Sequence, residues 1–204
     1  TVVKNLPLFG ISDNTFKTFA DRPNLLTKRE IRIQLLADLE LPEEGTLLDI
    51  GSGSGTIGLE ALRLRPQLKL ISIDKRFGSQ LLVKENAKKL GVSPKQIIES
   101  DVKQFLTHDF NNLFSDSNRV VIGGCDEVTK IEIIEALSKS LQKGDIIVLP
   151  IITFEVLQKV SNCLRKLNYE TSVNLIQTFK GLSISDGTRF EPNNPVFIIK
   201  SKKK

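Results

Sequence analysis

A chain of 204 residues, 40% hydrophobic and 26% charged, suffices for one compact domain with a buried core, and no apolar run approaches the roughly 20 residues that span a bilayer. Residues 1–10 carry one Lys and no apolar core, so they are no signal peptide; Cys125 and Cys163 match neither a disulfide scaffold nor a zinc spacing, and His108 cannot hold a metal alone, so a reduced, cytoplasmic setting without a metal site is expected. The net charge of +5 would suit an anionic partner, but Lys200, Lys202, Lys203 and Lys204 supply four of those charges and leave the body at +1, so a solvated basic tail over 200–204 is expected in place of a nucleic-acid surface.

In chain order, residues 1–26 read as an N-terminal extension. Thr27-Lys28-Arg29-Glu30 fits a capping box, with Thr27 as N-cap and Glu30 bonding back. The helix that follows carries Ile31, Leu35, Leu36 and Leu39 and ends at Pro42 and Gly45. Residues 46–50 form a short buried strand, 51–55 a glycine loop, and 57–64 a helix stopped before Pro66. A strand over 68–74 and a helix over 79–90 follow, the latter closed by Gly91 as a left-handed cap. Residues 96–99 make a third strand, 107–118 a polar loop, and 119–122 a fourth strand ending in Gly123-Gly124. A helix over 127–141, a strand over 145–149 and a helix over 154–167 precede a strand over 169–178. The last strand, 195–199, comes after a long loop. Strands alternating with helices predict an α/β fold around a parallel sheet of seven strands. The last two strands are joined by a loop, so they should pair antiparallel.

The strongest local feature is Asp49-Ile50-Gly51-Ser52-Gly53-Ser54-Gly55 at the end of the first strand. Ligands of such sheets lie across the carboxyl ends of the strands, and glycines there let the backbone approach without a Cβ between. Gly53-Ser54-Gly55-Thr56-Ile57-Gly58 is also a GxGxxG, whose dinucleotide reading would seat a pyrophosphate at the helix N-terminus. That reading leaves Asp49 unexplained, whereas a carboxylate there suits a ligand with a cationic amino group. A ligand-free turn would need one or two glycines, not three in alternation. Asp74 ends the second strand, where it can accept both ribose hydroxyls or cap the next helix. Asp101 ends the third strand, either facing a ligand or capping the run to Leu106. Gly123 and Gly124 suggest backbone placed close to a bulky ligand.

The DxGxGxG pattern resembles the first motif of class I methyltransferases, which use S-adenosylmethionine. That resemblance implies a single-domain Rossmann-like fold with a mostly parallel seven-stranded sheet, the last strand antiparallel, and helices on both faces. It places the methionine part of the cofactor on the loop and its adenine at Asp101 and the Val102 N–H. The Asn/Asp-Pro-Pro-aromatic motif of amino-group DNA methylases is not found after the fourth strand.

More particularly, the chain resembles the decarboxylating C15-methyltransferases of cobalamin biosynthesis, which act on precorrin-6Y or cobalt-precorrin-6B. The likeness runs from Gly10 to Ile199 and rests on Gly10-Ile11-Ser12-Asp13 with Phe16, on Leu26-Thr27-Lys28-Arg29-Glu30, and on the glycine loop and Asp74. It rests also on Ile122-Gly123-Gly124 and on Thr188-Arg189-Phe190-Glu191-Pro192-Asn193-Asn194-Pro195-Val196. It implies a stand-alone methyltransferase domain over 27–199, a homotetramer, and a cofactor site of Thr27, Asp49, Gly51, Ser52, Gly53, Ser54, Gly55, Asp74, Asp101 and Val102. Leu149-Pro150-Ile151 departs from the small or amide residues of the family, while Glu155 agrees with it. The substrate would be a tetrapyrrole bearing many carboxylates, which Arg binds well through its planar fork. Arg189, Lys180 and Lys28 lie in segments expected at the cofactor mouth, and Gly123, Gly124 and Glu155 near the ring. Methyl transfer from a sulfonium to an electron-rich carbon needs positioning above all, so no catalytic dyad is expected and none is assigned. The rivals are an RNA methyltransferase of the same fold, which would need a basic face, a cofactor-binding module without activity, and a nicotinamide-dependent enzyme.

Overall fold

A computed structural model describes residues 2–106 and 116–204. His108 and most of the polar loop expected over 107–118 lie outside the described residues. Seven strands form one sheet in the order β3-β2-β1-β4-β5-β9-β6. They are β1 (Gly45–Ile50), β2 (Leu68–Asp74), β3 (Gln96–Glu99), β4 (Ser117–Ile122), β5 (Ile146–Ile151), β6 (Tyr169–Ile176) and β9 (Val196–Lys203). β1 to β5 pair parallel, and β9 runs antiparallel between β5 and β6. The expected α/β sheet with an antiparallel last strand is therefore present.

Runs such as Leu47-Leu48 and Ile146-Ile147-Val148-Leu149 are continuously apolar because helices cover both faces of the sheet. Helices α1 (Arg29–Asp38), α2 (Thr56–Leu64) and α3 (Ser79–Leu90) pack with Leu47, Leu70 and Val148 on one side. Helices α4 (Glu127–Leu137) and α5 (Phe154–Lys166) pack with Leu48, Ile50 and Leu149 on the other. Among the described residues no helix is long and apolar enough to cross a membrane.

The segment before α1 is bound to the domain by Ile11 and Phe16 in the core, by Lys17 N–H donating to Asn86 Oδ1, and by one buried cation. Arg32 has no solvent exposure, and its Nε donates to Glu60 Oε1 at 2.7 Å. Its Nη1 donates to Asp13 Oδ1 at 2.9 Å and to the carbonyl of Thr27, and its Nη2 to the carbonyl of Ile11. The Phe16 ring lies 4.9 Å from the guanidinium carbon. Glu60, equally buried, accepts from the N–H groups of Gly10 and Ile11. Residues 10–16 thus form a cage around Arg32 of α1 and Glu60 of α2.

Three expectations need correction. The capping box is absent: α1 starts at Arg29 with Lys28 at the N-cap and no side-chain cap bond. Thr27 is engaged instead through its carbonyl by Arg32, and Glu30 lies 3.8 Å from Arg29. The long loop before the last strand is a hairpin of β7 (Phe179–Ile184) and β8 (Gly187–Pro192), turning at Ser185-Asp186. The basic tail is not free, because Lys200 to Lys203 complete β9. There Ser201 is buried, Lys200 and Lys202 pair with Glu40, and the Lys203 ammonium lies over the Tyr169 ring. Long lysine stems let a central strand carry charge by delivering it to the sheet's rim.

A double-mutant cycle tests the cage. Arg32→Met should cost about 3–5 kcal/mol by stranding a buried carboxylate. Adding Glu60→Gln, which keeps an acceptor for the Gly10 and Ile11 N–H groups, should recover at least about 1 kcal/mol. Chemical denaturation measures all four species, and strict additivity would show that the pair is not coupled.

Candidate functional site

Sheet order reverses beside β1, which lies between β2 and β4, and the carboxyl ends of these strands open into a cleft. Its lining includes Gly51, Asp74, Asp101, Val102, Gly124 and Cys125, with Lys75, Ser100, Asp126 and Thr129. Three carboxylates therefore face one small space.

The glycine loop is held from three sides. The N–H groups of Gly51 and Ser52 donate to the Ile73 carbonyl, and Gly55 N–H closes a turn on the Ser52 carbonyl. The Ser52 hydroxyl accepts from Ser72, 2.7 Å away, and the Ser54 carbonyl accepts from Asn86. Gly53 N–H donates to Asp74 Oδ2 at 2.7 Å, while Asp74 Oδ1 accepts from Arg76 N–H at 2.8 Å. Gly53 has φ +56°, and a Cβ there would meet nothing within 4 Å. The N–H groups that a pyrophosphate would need are thus largely spent inside the protein. The helix-capping reading of Asp74 also lapses, since α3 begins after Gly78.

Asp49 faces away from the cleft. Alternation along β1 turns it, like Leu47, toward α2. There Oδ2 accepts from Gly58 N–H at 3.1 Å in the first turn of that helix. Burial pushes its carboxyl up to about 7, and the nearby Asp74 adds to the shift. Asp49 therefore shapes the strand–helix turn. A Cβ on Gly58 would lie 2.6 Å from Leu70 Cδ1, so a side chain there would require the buried Leu70 to shift.

The glycines after β4 have a reason other than the one expected. Gly123 N–H donates to the Ile50 carbonyl at 2.7 Å, and a Cβ on Gly123 would approach the Gly51 carbonyl to 3.0 Å. A Cβ on Gly51 would lie 2.6 Å from Gly124 N. Backbone packs on backbone at this point, and of the pair only Gly124 lines the cleft.

Asp101 fulfils its capping reading: its Oδ1 accepts from Lys103 N–H, heading a 3-10 turn over Val102–Phe105. It also lines the cleft, with Lys75 Nζ 3.7 Å from its other oxygen. Sequence reasoning missed Lys75, Ser100, Cys125, Asp126 and Thr129. The signal was available for Asp126, an N-cap two residues after a strand-end glycine. It accepts from both the N–H and hydroxyl of Thr129, which hold its carboxyl down at about 2. Below Cys125, the buried Lys130 ammonium donates to the Cys125 carbonyl.

Thr27, Glu155, Lys180 and Arg189 do not line the cleft. Glu155 is exposed in the first turn of α5, at the carboxyl edge of the sheet. Lys180 and Arg189 stand exposed on the β7–β8 hairpin, where Arg189 pairs with Glu191 on its own strand.

Comparison with known proteins adds to this geometry. A family model described as a precorrin methyltransferase domain matches residues 18–203. A protein of Sulfurisphaera tokodaii, "Probable cobalt-precorrin-6B C(15)-methyltransferase (decarboxylating)", is 31% identical over 195 residues, which are 95% of this chain and 97% of the relative. A protein of the same description from Saccharolobus solfataricus is 31% identical over 98% of both chains. The crystal structure of precorrin-6Y C5,15-methyltransferase from Geobacter metallireducens superposes with a TM-score of 0.84 at 28% identity, covering 98% of this chain and 100% of that one.

The position of Asp49 has a measurable consequence. Its carboxyl is raised in the folded chain, so its proton favours folding below the ordinary carboxylate range, and that contribution is lost as pH rises through about 7. Asp49→Asn keeps the acceptor for Gly58 N–H and removes the titration. Relative to the parent, the variant should gain about 2–4 kcal/mol between pH 4 and pH 8. Denaturation curves at the two pH values check this; parallel stabilities would mean that Asp49 is not buried as a proton-holding group.

Proposed function

The chain belongs to the precorrin methyltransferase family, and we propose that it transfers a methyl group from S-adenosylmethionine to C15 of a corrin precursor, precorrin-6Y or cobalt-precorrin-6B, and releases the ring C acetate carboxylate as carbon dioxide. The names of the Sulfurisphaera and Saccharolobus relatives support this reading. The observation that carries it is the Asp74 carboxylate clasped to Gly53 N–H at the mouth of a cleft shared with Asp101 and Asp126.

The residues present fit such a cofactor. A cleft of carboxylates favours a cation, and the space beyond Gly53 is clear of protein atoms. Asp74 already accepts two backbone N–H groups, yet each carboxylate oxygen keeps a lone pair for a ribose hydroxyl. A phosphate would meet the same carboxylates unfavourably, which weighs against a dinucleotide. Gly51 to Gly55 would carry the methionine portion, and Asp101 with the Val102 N–H the adenine. Ser52 and Ser54 hold the loop's shape, and Asp49 its turn onto α2. Thr27 stays a candidate contact only through the segment that Arg32 anchors.

S-adenosylmethionine, when bound, supplies an electrophilic methyl on a cationic sulfur. The protein then has to orient the two reactants and exclude water, and holding them in line is worth about 7–11 kcal/mol in favourable cases. Gly124 and Cys125, at the end of β4, form the wall on the substrate side. Lys180 and Arg189 would reach substrate carboxylates only from the hairpin.

That hairpin supports a homotetramer. A two-stranded ribbon is marginal alone, and Phe179, Ile184 and Phe190 are exposed on it. The adjoining edge strand β6 exposes Val173 and Leu175. A cytoplasmic setting is consistent with two free thiols, Cys125 and Cys163.

Calorimetry should detect S-adenosylmethionine at micromolar affinity. Gly53→Val should abolish that binding, because it fills the clear space and places a branched side chain at positive φ. Asp74→Ala should lose about 1.5–3 kcal/mol of affinity, with Asp74→Asn intermediate. Mass spectrometry of the product should find one methyl gained and one carbon dioxide lost. An unchanged corrin precursor beside a methylated transfer RNA would transfer the assignment to the RNA enzyme of this fold.

A further inference from the structure

The cleft explains where a methyl donor would lie, but its carboxylates would repel a substrate that itself bears many carboxylates. Beside it the structure offers a different surface. β4 and β5 pair in parallel as far as Val121 and Val148; β4 then ends at Ile122, while β5 runs on to Ile151 against β9. Ile152, the next residue, is 70% exposed, and Phe154, the first residue of α5, is 61% exposed. Val128, in the same first turn of α4 as the cleft residues Asp126 and Thr129, is 57% exposed. The two helices are neighbours: Lys159 Nζ, in the second turn of α5, bonds Glu127 Oε1, in the first turn of α4, at 2.7 Å.

We propose that Ile152 and Phe154, continued by Val128, form the platform on which the flat apolar face of the tetrapyrrole lies beside the methyl-donating cleft. This inference rests on the corrin-precursor reading above. Three large apolar side chains are exposed at the carboxyl edge, two where β5 leads into α5 and one in the turn of α4 that carries the cleft residues Asp126 and Thr129, and they match the face of a macrocycle whose carboxylates radiate from its rim. Charge makes the same choice: the acidic cleft accepts the cationic donor and turns the anionic rim away, leaving the apolar face to settle one strand over. The place of the platform after β5 also fits the order of the sheet, since β5 lies next to β4, whose end carries the cleft residues Gly124 and Cys125. Ile152 and Phe154 act here as substrate-positioning residues, with no part in proton transfer.

The test uses the full chain, with cobalt-precorrin-6B and methyl-labelled S-adenosylmethionine. Phe154→Ala and Ile152→Ala should each raise the KM for the corrin precursor by about tenfold, as expected for a lost ring or branched-chain contact. The KM for S-adenosylmethionine and the melting temperature should stay unchanged, and Phe154→Leu should restore most of the loss. In parallel, a stable cobalt corrin polycarboxylate is titrated without cofactor, where Phe154→Ala should weaken binding by a similar factor. An unchanged corrin KM and unchanged corrin affinity in the alanine variants would overturn the platform. So would a changed sedimentation coefficient in Phe154→Asp, which would assign the patch to contact between copies of the chain. A parent protein that binds the corrin through Phe154 but adds no methyl would overturn the function proposed above and leave the platform standing.

Discussion

The buried pair between Arg32 and Glu60 ties the entry segment to two helices that also share apolar packing. Arg32 belongs to α1 and Glu60 to α2, the helix that leaves the glycine loop. With both side chains removed from water, each must find every partner it can, and the partners are Asp13 and the backbone of Gly10, Ile11 and Thr27. The entry segment therefore folds around a charge as well as around the apolar contacts of Ile11 and Phe16. Motif residues 10–13 and Phe16, which look arbitrary as letters, are the walls of that cage.

From α2 the constraint passes to the site. Gly58 sits close to Leu70 and Asp49, where an added Cβ would crowd Leu70 Cδ1 at 2.6 Å, so α2 approaches β1 and β2 closely. Asp49 fixes the first turn of α2, Asp74 fixes Gly53, and Gly51 interlocks with Gly123 and Gly124. Each contact uses a backbone group of the loop. What remains facing outward is a set of carboxylates on a rigid frame, which is how a site can attract a cation while keeping its own geometry unaltered by binding.

Two devices divide the carboxyl edge of the sheet into an acidic and an apolar surface. Asp74, Asp101 and Asp126 gather where β1, β2 and β4 end together, and β5 and β9 rise past them carrying apolar side chains. The difference in strand length, not any single residue, separates the two surfaces. At the far edge β6 and the β7–β8 hairpin expose apolar side chains as well.

Much of this was legible in the letters. Apolar runs of five to seven residues alternating with helical periods specify a parallel sheet, and the boundaries of β2, β3 and α3 follow from Pro66, Asp74, Gly91 and the apolar period alone. The glycine loop and Asp74 mark the end of β1 in the sequence as a candidate ligand site, and the fold uses Gly51 for close packing against Gly124 as well. Other features were decided only by tertiary contacts. The Thr27 capping box failed because a buried guanidinium claimed the Thr27 carbonyl first. The β7–β8 hairpin was hidden because both its faces are exposed, so burial leaves no alternation to read, although Asp186-Gly187 marked its turn. The four terminal lysines looked like a tail because charge suggests solvent, yet β9 is threaded between two strands and its lysines reach the rim by length. Local pattern, set by period and by backbone freedom, determined the elements and the place of the loop. Which carboxylate faces the cleft and which turns into the core was left to the packing of α2 on β1, where space and dielectric are properties of the folded chain alone.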